Sequence, residues 1–222
     1  MAMVTLDALD LSALLCSRVC HDVISPVGAI VNGLEVLEED NDPSMREFAL
    51  DLIRKSANQA SARLQFARLA FGAAGSAGAM IDLGDAESVA RGMYQDEKVT
   101  LSWTAPRALV AKDRVKLLLN LVVLATSAIP RGGSITVTVE GEDPEQADFR
   151  LVSKGINARI PVNAVALLAG EPESGTVDAH GIQTFYAGLI AREAGMEVGL
   201  TIEGEEVTIL ARNGAKSSVA EA

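Results

Sequence analysis

The sequence is short of basic residues, of cysteine and of long apolar runs, and each shortage removes a class of function. Lys and Arg number 19 against 30 Asp and Glu, a net charge of −11, and no stretch gathers cations. A duplex or an anionic membrane repels such a surface, so no nucleic-acid or membrane partner is expected. The acid is not a tail either: residues 1–80 hold 10 acids and 6 bases, the remainder 20 and 13, as on solvated globular surface. Cysteine occurs only as Cys16 and Cys20. One turn apart on a helix they are poorly placed for a disulfide, and reduced thiols fit a cytoplasmic protein. The longest apolar run, Leu117 to Ala125, is interrupted by Asn120, and no leader-like N-terminus is present, so neither a membrane span nor export is expected. The remaining composition, 49% hydrophobic and 22% charged over 222 residues, is that of one or two globular domains.

Two halves follow along the chain. Leu6 to about Asp40 is interrupted only by Pro26, and Pro43 to Phe71 not at all, so two long helices are expected. Asn41-Asp42-Pro43 separates them, with Asp42 as cap and Pro43 at the first helical position. The small-residue run Gly72 to Ala79 reads as a linker. Beyond it, expected helices at 85–93, 111–129, 162–169 and 182–193 alternate with strands at 98–104, 134–140, 147–153, 197–203 and 206–211. Alternation such as Ile135-Thr136-Val137-Thr138-Val139 calls for a sheet covered on one face. The fold class is therefore multidomain α+β. A helical hairpin (1–75) precedes an α/β sandwich (80–213), helices on one side of a mixed sheet, with 214–222 as a disordered tail.

The informative residue is His21. Leu11, Leu15, Val19, Val23, Val27, Ile30, Leu34 and Leu37 recur at four and three, a seam expected to be the core. At ~100° per residue His21 lies nearly opposite Val19, on a stripe of Ser17, Ser25, Gly28, Asn32 and Glu35. It is therefore expected to be exposed among small polar neighbours, with Asp22 beside it. Pro26 removes the helical bond to the carbonyl of Asp22 and should bend the helix just past His21, at ~3 kcal/mol.

His21-Asp22-Val23-Ile24-Ser25-Pro26-Val27 resembles the H-box of two-component histidine kinases, in which a His is followed by Glu or Asp, with Pro at the fifth position. The usual basic residue is absent, replaced by Ile24. In that family the His accepts a phosphoryl group on a dimeric helical hairpin. On the second helix Ile53, Ala57, Ala60, Leu64, Ala67 and Phe71 form the matching seam. Leu14, Ile24, Val31, Phe48 and Leu52 lie beside the two seams, so two hairpins are expected to close a four-helix bundle as a homodimer.

The second half resembles the ATP-binding domain of the same kinases, with its nucleotide boxes altered. Leu118-Leu119-Asn120-Leu121 and Ile129 to Ile135 look like the N-box helix and the following strand, but Leu124 stands where the kinases place an Asn that holds magnesium. A hard cation needs oxygen ligands. The loop from Leu151 to Pro161 lacks the acid of the Asp-x-Gly-x-Gly box, and the lid survives only as Asp178-Ala179-His180-Gly181-Ile182. A phosphoacceptor hairpin joined to such a domain resembles the ChpT-type histidine phosphotransferases of bacterial cell-cycle phosphorelays.

That resemblance implies a shuttle from the receiver Asp of a hybrid histidine kinase through His21 to the Asp of response regulators of the CtrA or CpdR types. Asp22 would orient the imidazole. Ser17, Arg18, Ser25, Gly28 and Ala29 would form the docking surface. No cofactor is then bound stably: magnesium comes with the receiver, and ATP is not used. Three other readings are an active soluble kinase with a divergent ATP site, a non-catalytic dimeric scaffold, and a metal or haem site at Cys16, Cys20 and His21. In the last case the cysteines are more simply core residues beside the seam.

Overall fold

The computed structural model describes residues 3–39, 42–72, 78–94 and 98–214. The expected tail beyond 214 and the middle of the small-residue linker, 73–77, lie outside them. Two helices, α1 (Ala8–Glu39) and α2 (Pro43–Ala70), make the hairpin. Asp42 caps α2: its Oδ1 accepts from the Ser44 amide and hydroxyl, both at 2.8 Å, with Pro43 at the first position. These bonds hold the Asp42 carboxyl below its ordinary pKa.

The remaining elements are β1 (Met80–Asp82), α3 (Leu83–Tyr94), β2 (Val99–Thr104), β3 (Leu109–Ala111), α4 (Lys112–Ser127), β4 (Gly133–Glu140), β5 (Asp148–Lys154), α5 (Ala164–Ala169), α6 (Ile182–Glu193), β6 (Met196–Glu203) and β7 (Glu206–Asn213). The sheet runs β2-β4-β5-β7-β6, with β2 parallel to β4 and the other pairs antiparallel, so it is mixed as expected. Alternation sets its covered face. Ile135, Val137 and Val139 on β4, Phe149 and Leu151 on β5, and Val207 and Ile209 on β7 are buried. Strands β1 and β3 form a separate antiparallel pair that the sequence reading lacks. Helix α4 is buried from Arg114 to Ala125, which is why its apolar residues show no single-faced pattern.

Helices α5 and α6 pack backbone to backbone at Gly188, where a Cβ would run into the Leu168 carbonyl. The obstacle is main chain and cannot swing aside. Gly188→Ala should therefore destabilise by about 1–3 kcal/mol. At roughly 2–4 °C per kcal/mol the melting temperature should fall by roughly 2–12 °C, which calorimetry would measure.

The hairpin corrects the expected seams. On α1 only Pro26 and Gly33 are buried, and Val27 and Leu34, read as core, are 44% and 47% exposed. On α2 the inner stripe is Ala49, Ser56, Ala60 and Ala70, while Ala57 and Leu64 face outward. The apolar residues of α1 divide among α5 and α6, α2 and an exposed face. Leu11, Leu14 and Leu15 pack with Leu167, Ile182 and Phe185 on α5 and α6. Gly33 meets Ile53 and Ala49 of α2. Cys16, Cys20, Ile24, Val27, Val31 and Leu34 form an exposed stripe, so the cysteines are surface residues and not core. Phe71, placed in the α2 seam, packs instead against Tyr186, ring centroids 5.8 Å apart. By length and composition α1 is long and apolar enough to cross a membrane, although polar residues such as Ser17, Arg18, His21 and Asp22 break its apolar runs.

Candidate functional site

His21 stands near the middle of α1 with its side chain 78% exposed. Three faces meet around the helix at ~100° per residue. One, through Val19, Pro26, Ile30 and Gly33, turns to α2. The second is the exposed apolar stripe, and the third carries His21 with Ser17, Ser25 and Gly28, all exposed. A Cβ at Gly28 would meet open space, so an approaching surface finds no side chain there. Ala29 and Arg18 are half-buried at the edge of this face.

Asp22 is held at three atoms. Its Oδ1 lies 3.4 Å from His21 Nδ1. Its Oδ2 accepts from Arg18 Nε at 3.1 Å. Its backbone oxygen, released by Pro26 as expected, accepts from Arg63 Nη1 of α2 at 2.6 Å. Arg18, Asp22 and Arg63 also line a cleft of about 250 Å³ with Tyr94, Thr126 and Ser127, so the hairpin and the sheet domain meet beside the histidine. An Nδ1–H donated to Asp22 leaves the lone pair on Nε2 of a largely exposed ring. That arrangement offers an exposed nitrogen nucleophile with a carboxylate behind the ring.

Arg63 is the residue sequence reasoning missed. The available signal was a cation at the stripe position between Ala60 and Ala67, where the second-helix pattern calls for a small residue. Asn120, picked out as an N-box residue, is buried, and its amide donates to Ala70 O at 3.1 Å and Lys116 O at 2.8 Å. It ties the end of α2 to α4. Cys16 and Cys20 do not converge with His21, and among the described residues no three His, Cys, Asp or Glu side chains form a metal-binding group.

Comparison with known proteins agrees with this geometry. The histidine phosphotransferase C-terminal domain family matches residues 83–206. The protein phosphotransferase ChpT of Brucella abortus (strain 2308) is 50% identical over 208 residues, 94% of this chain and 98% of its own. The chain belongs to the ChpT-type histidine phosphotransferases. A solved bacterial phosphotransferase, described at 1.7 Å, superposes with a TM-score of 0.86 at 47% identity, covering 95% of this chain and all of that one. This phosphotransferase is thus an enzyme of two-component relays, built as a helical hairpin followed by a sheet domain.

Proposed function

We propose that His21 is the phosphoacceptor, relaying a phosphoryl group from the receiver Asp of a hybrid histidine kinase to the receiver Asp of CtrA- or CpdR-type response regulators. The observation that carries this is the exposed imidazole backed by Asp22, which is itself fixed by Arg18 and Arg63. In the forward step Nε2 attacks the phosphorus of the acyl phosphate. An N–P bond forms, the P–O bond to the receiver carboxylate breaks, and its electron pair leaves with that carboxylate. The ring gains positive charge, which Asp22 offsets through Nδ1–H. The second transfer reverses the order at another receiver. Magnesium and the charge-neutralising groups for the phosphoryl oxygens come with the receiver. Ser17, Arg18, Ser25, Gly28 and Ala29 are its landing surface.

ATP has no part in this reading, and the residues present do not fit a magnesium nucleotide. Leu124, buried, stands at the cation position. The amides of His180 and Gly181, at the start of α6, already donate to Asp178 Oδ1 at 3.1 and 2.7 Å, so a carboxylate occupies the place a phosphate would take. Leu11, Leu14 and Leu15 of α1 pack over Leu167, Val177 and Ile182, on the lid segment itself.

The homodimer is likewise proposed, in the cytoplasm, through a four-helix bundle. Its support is the outward stripe of α1, with Ile24 at 70% exposure, facing away from both α2 and the sheet domain. Leu50 and Leu64, on one flank of the inner stripe of α2, add to it. The apolar length of α1 then finds its cover in a second copy.

Asp22→Ala tests the orientation step. Single-turnover transfer from a phosphorylated receiver should slow by roughly tenfold to a hundredfold, with receiver affinity unchanged. An unchanged rate would remove Asp22 from the chemistry.

A further inference from the structure

The bond between Arg63 and the main chain of Asp22 is not explained by hairpin packing alone. A proline inside a helix has no N–H to give the carbonyl four residues back, and in α1 that carbonyl belongs to Asp22, next to the proposed nucleophile. An unpaired carbonyl there would swing toward water or pull the turn out of shape, because even a part-buried acceptor left without a donor is costly. Asp22 and Arg63 meet where a narrow crevice lined by Val19, Val23, Phe66 and Met93 adjoins the open cleft beside Tyr94 and Thr126, and the bond is part-buried. Arg63, from 41 residues further along the chain, fills the gap at 2.6 Å with a charged donor. The kinase-like proline and the arginine on the opposite helix are thus two halves of one device. Asp22 is fastened through its backbone oxygen by Arg63 and through Oδ2 by Arg18, which leaves Oδ1 facing His21 Nδ1.

We propose that Arg63 is a positioning residue: it replaces the hydrogen bond removed by Pro26 and so holds the His21-Asp22 turn in the geometry that presents Nε2 as the nucleophile. The inference rests on the reading of His21 as phosphoacceptor, but its link to Pro26 can be measured without any transfer.

The test is a double-mutant cycle of Arg63→Met, Pro26→Ala and the pair, with Arg63→Lys as the conservative variant. Each protein is titrated with a phosphorylated receiver domain in single turnover, and its imidazole tautomer is read from ring nitrogen chemical shifts at a pH where His21 is neutral. Arg63→Met alone should slow transfer about tenfold without weakening receiver binding, and should shift His21 away from the Nδ1–H form. Arg63→Lys should recover most of both. With Pro26→Ala the amide of residue 26 can bond Asp22 O again, so adding Arg63→Met to that background should change rate and tautomer less than twofold. An equal loss in both backgrounds, or an unshifted tautomer in Arg63→Met, would overturn the proposal. If wild type accepts no phosphoryl group, the parent reading fails, while the tautomer arm still decides whether Arg63 and Pro26 are coupled through Asp22. Circular dichroism of each variant separates local displacement from loss of the hairpin, and loss of α-helix in Arg63→Met but not in the pair would also support the coupling.

Discussion

His21→Ala is expected to abolish transfer from a phosphorylated receiver, a fall of at least a thousandfold, and to leave the fold unchanged. Both halves follow from placement. The side chain is 78% exposed and contributes no packing, so its removal leaves no cavity. Among the described residues its face carries no second activated nucleophile: Ser17 and Ser25 offer hydroxyls whose helical neighbour would then be Ala, and the other histidine, His180, lies at the start of α6. The acid-labile, alkali-stable phosphoryl group that marks phosphohistidine should disappear, while circular dichroism and melting temperature stay within error of wild type. Retained label in His21→Ala would move the acceptor elsewhere.

The second large effect concerns assembly. Val27→Asp combined with Leu34→Glu should turn a dimer into monomers at micromolar concentration, as read by sedimentation. Both side chains lie on the outward stripe of α1 with Ile24 and Val31, and neither supports the monomer core, so the separated chain should keep its helicity. Carboxylates buried without partners in a bundle cost several kcal/mol each, and every 1.4 kcal/mol is tenfold, so the dissociation constant should rise by more than about a hundredfold. A variant that remains dimeric would place the interface on another surface.

Much of this was legible in residue spacing, and the parts that were not share a cause. The helical period alone put His21 opposite Val19 and predicted its exposure, because angle around one helix is a local property. The same period misjudged Val27 and Leu34. It records which side chains are apolar, not which neighbour covers them, and α1 divides its apolar residues among α2, α6 and an open face. Pro26 announced a freed carbonyl at Asp22, but nothing local to the H-box names the donor, since Arg63 is a tertiary partner on another helix. Strands β1 and β3 were missed because three residues each, near Gly78 and Pro106, carry no alternation to detect. In the sheet domain the long strands were found because one covered face imposes period two on β4, β5 and β7. The altered nucleotide boxes were visible as missing oxygen ligands. That Asp178 occupies the amides at the start of α6 needed the fold.

The claim at the centre is that the phosphoryl group reaches His21 from a receiver and not from nucleotide. Wild-type protein is incubated with radiolabelled ATP and magnesium alone, and in parallel with the isolated receiver domain of a CtrA-type regulator charged from radiolabelled acetyl phosphate. Acid-labile label is expected on the chain in the second mixture, mapped to His21 by mass spectrometry, and none in the first. Label acquired from ATP alone would contradict it and make the protein an autokinase with a divergent site; no label in either mixture would leave a dimeric scaffold.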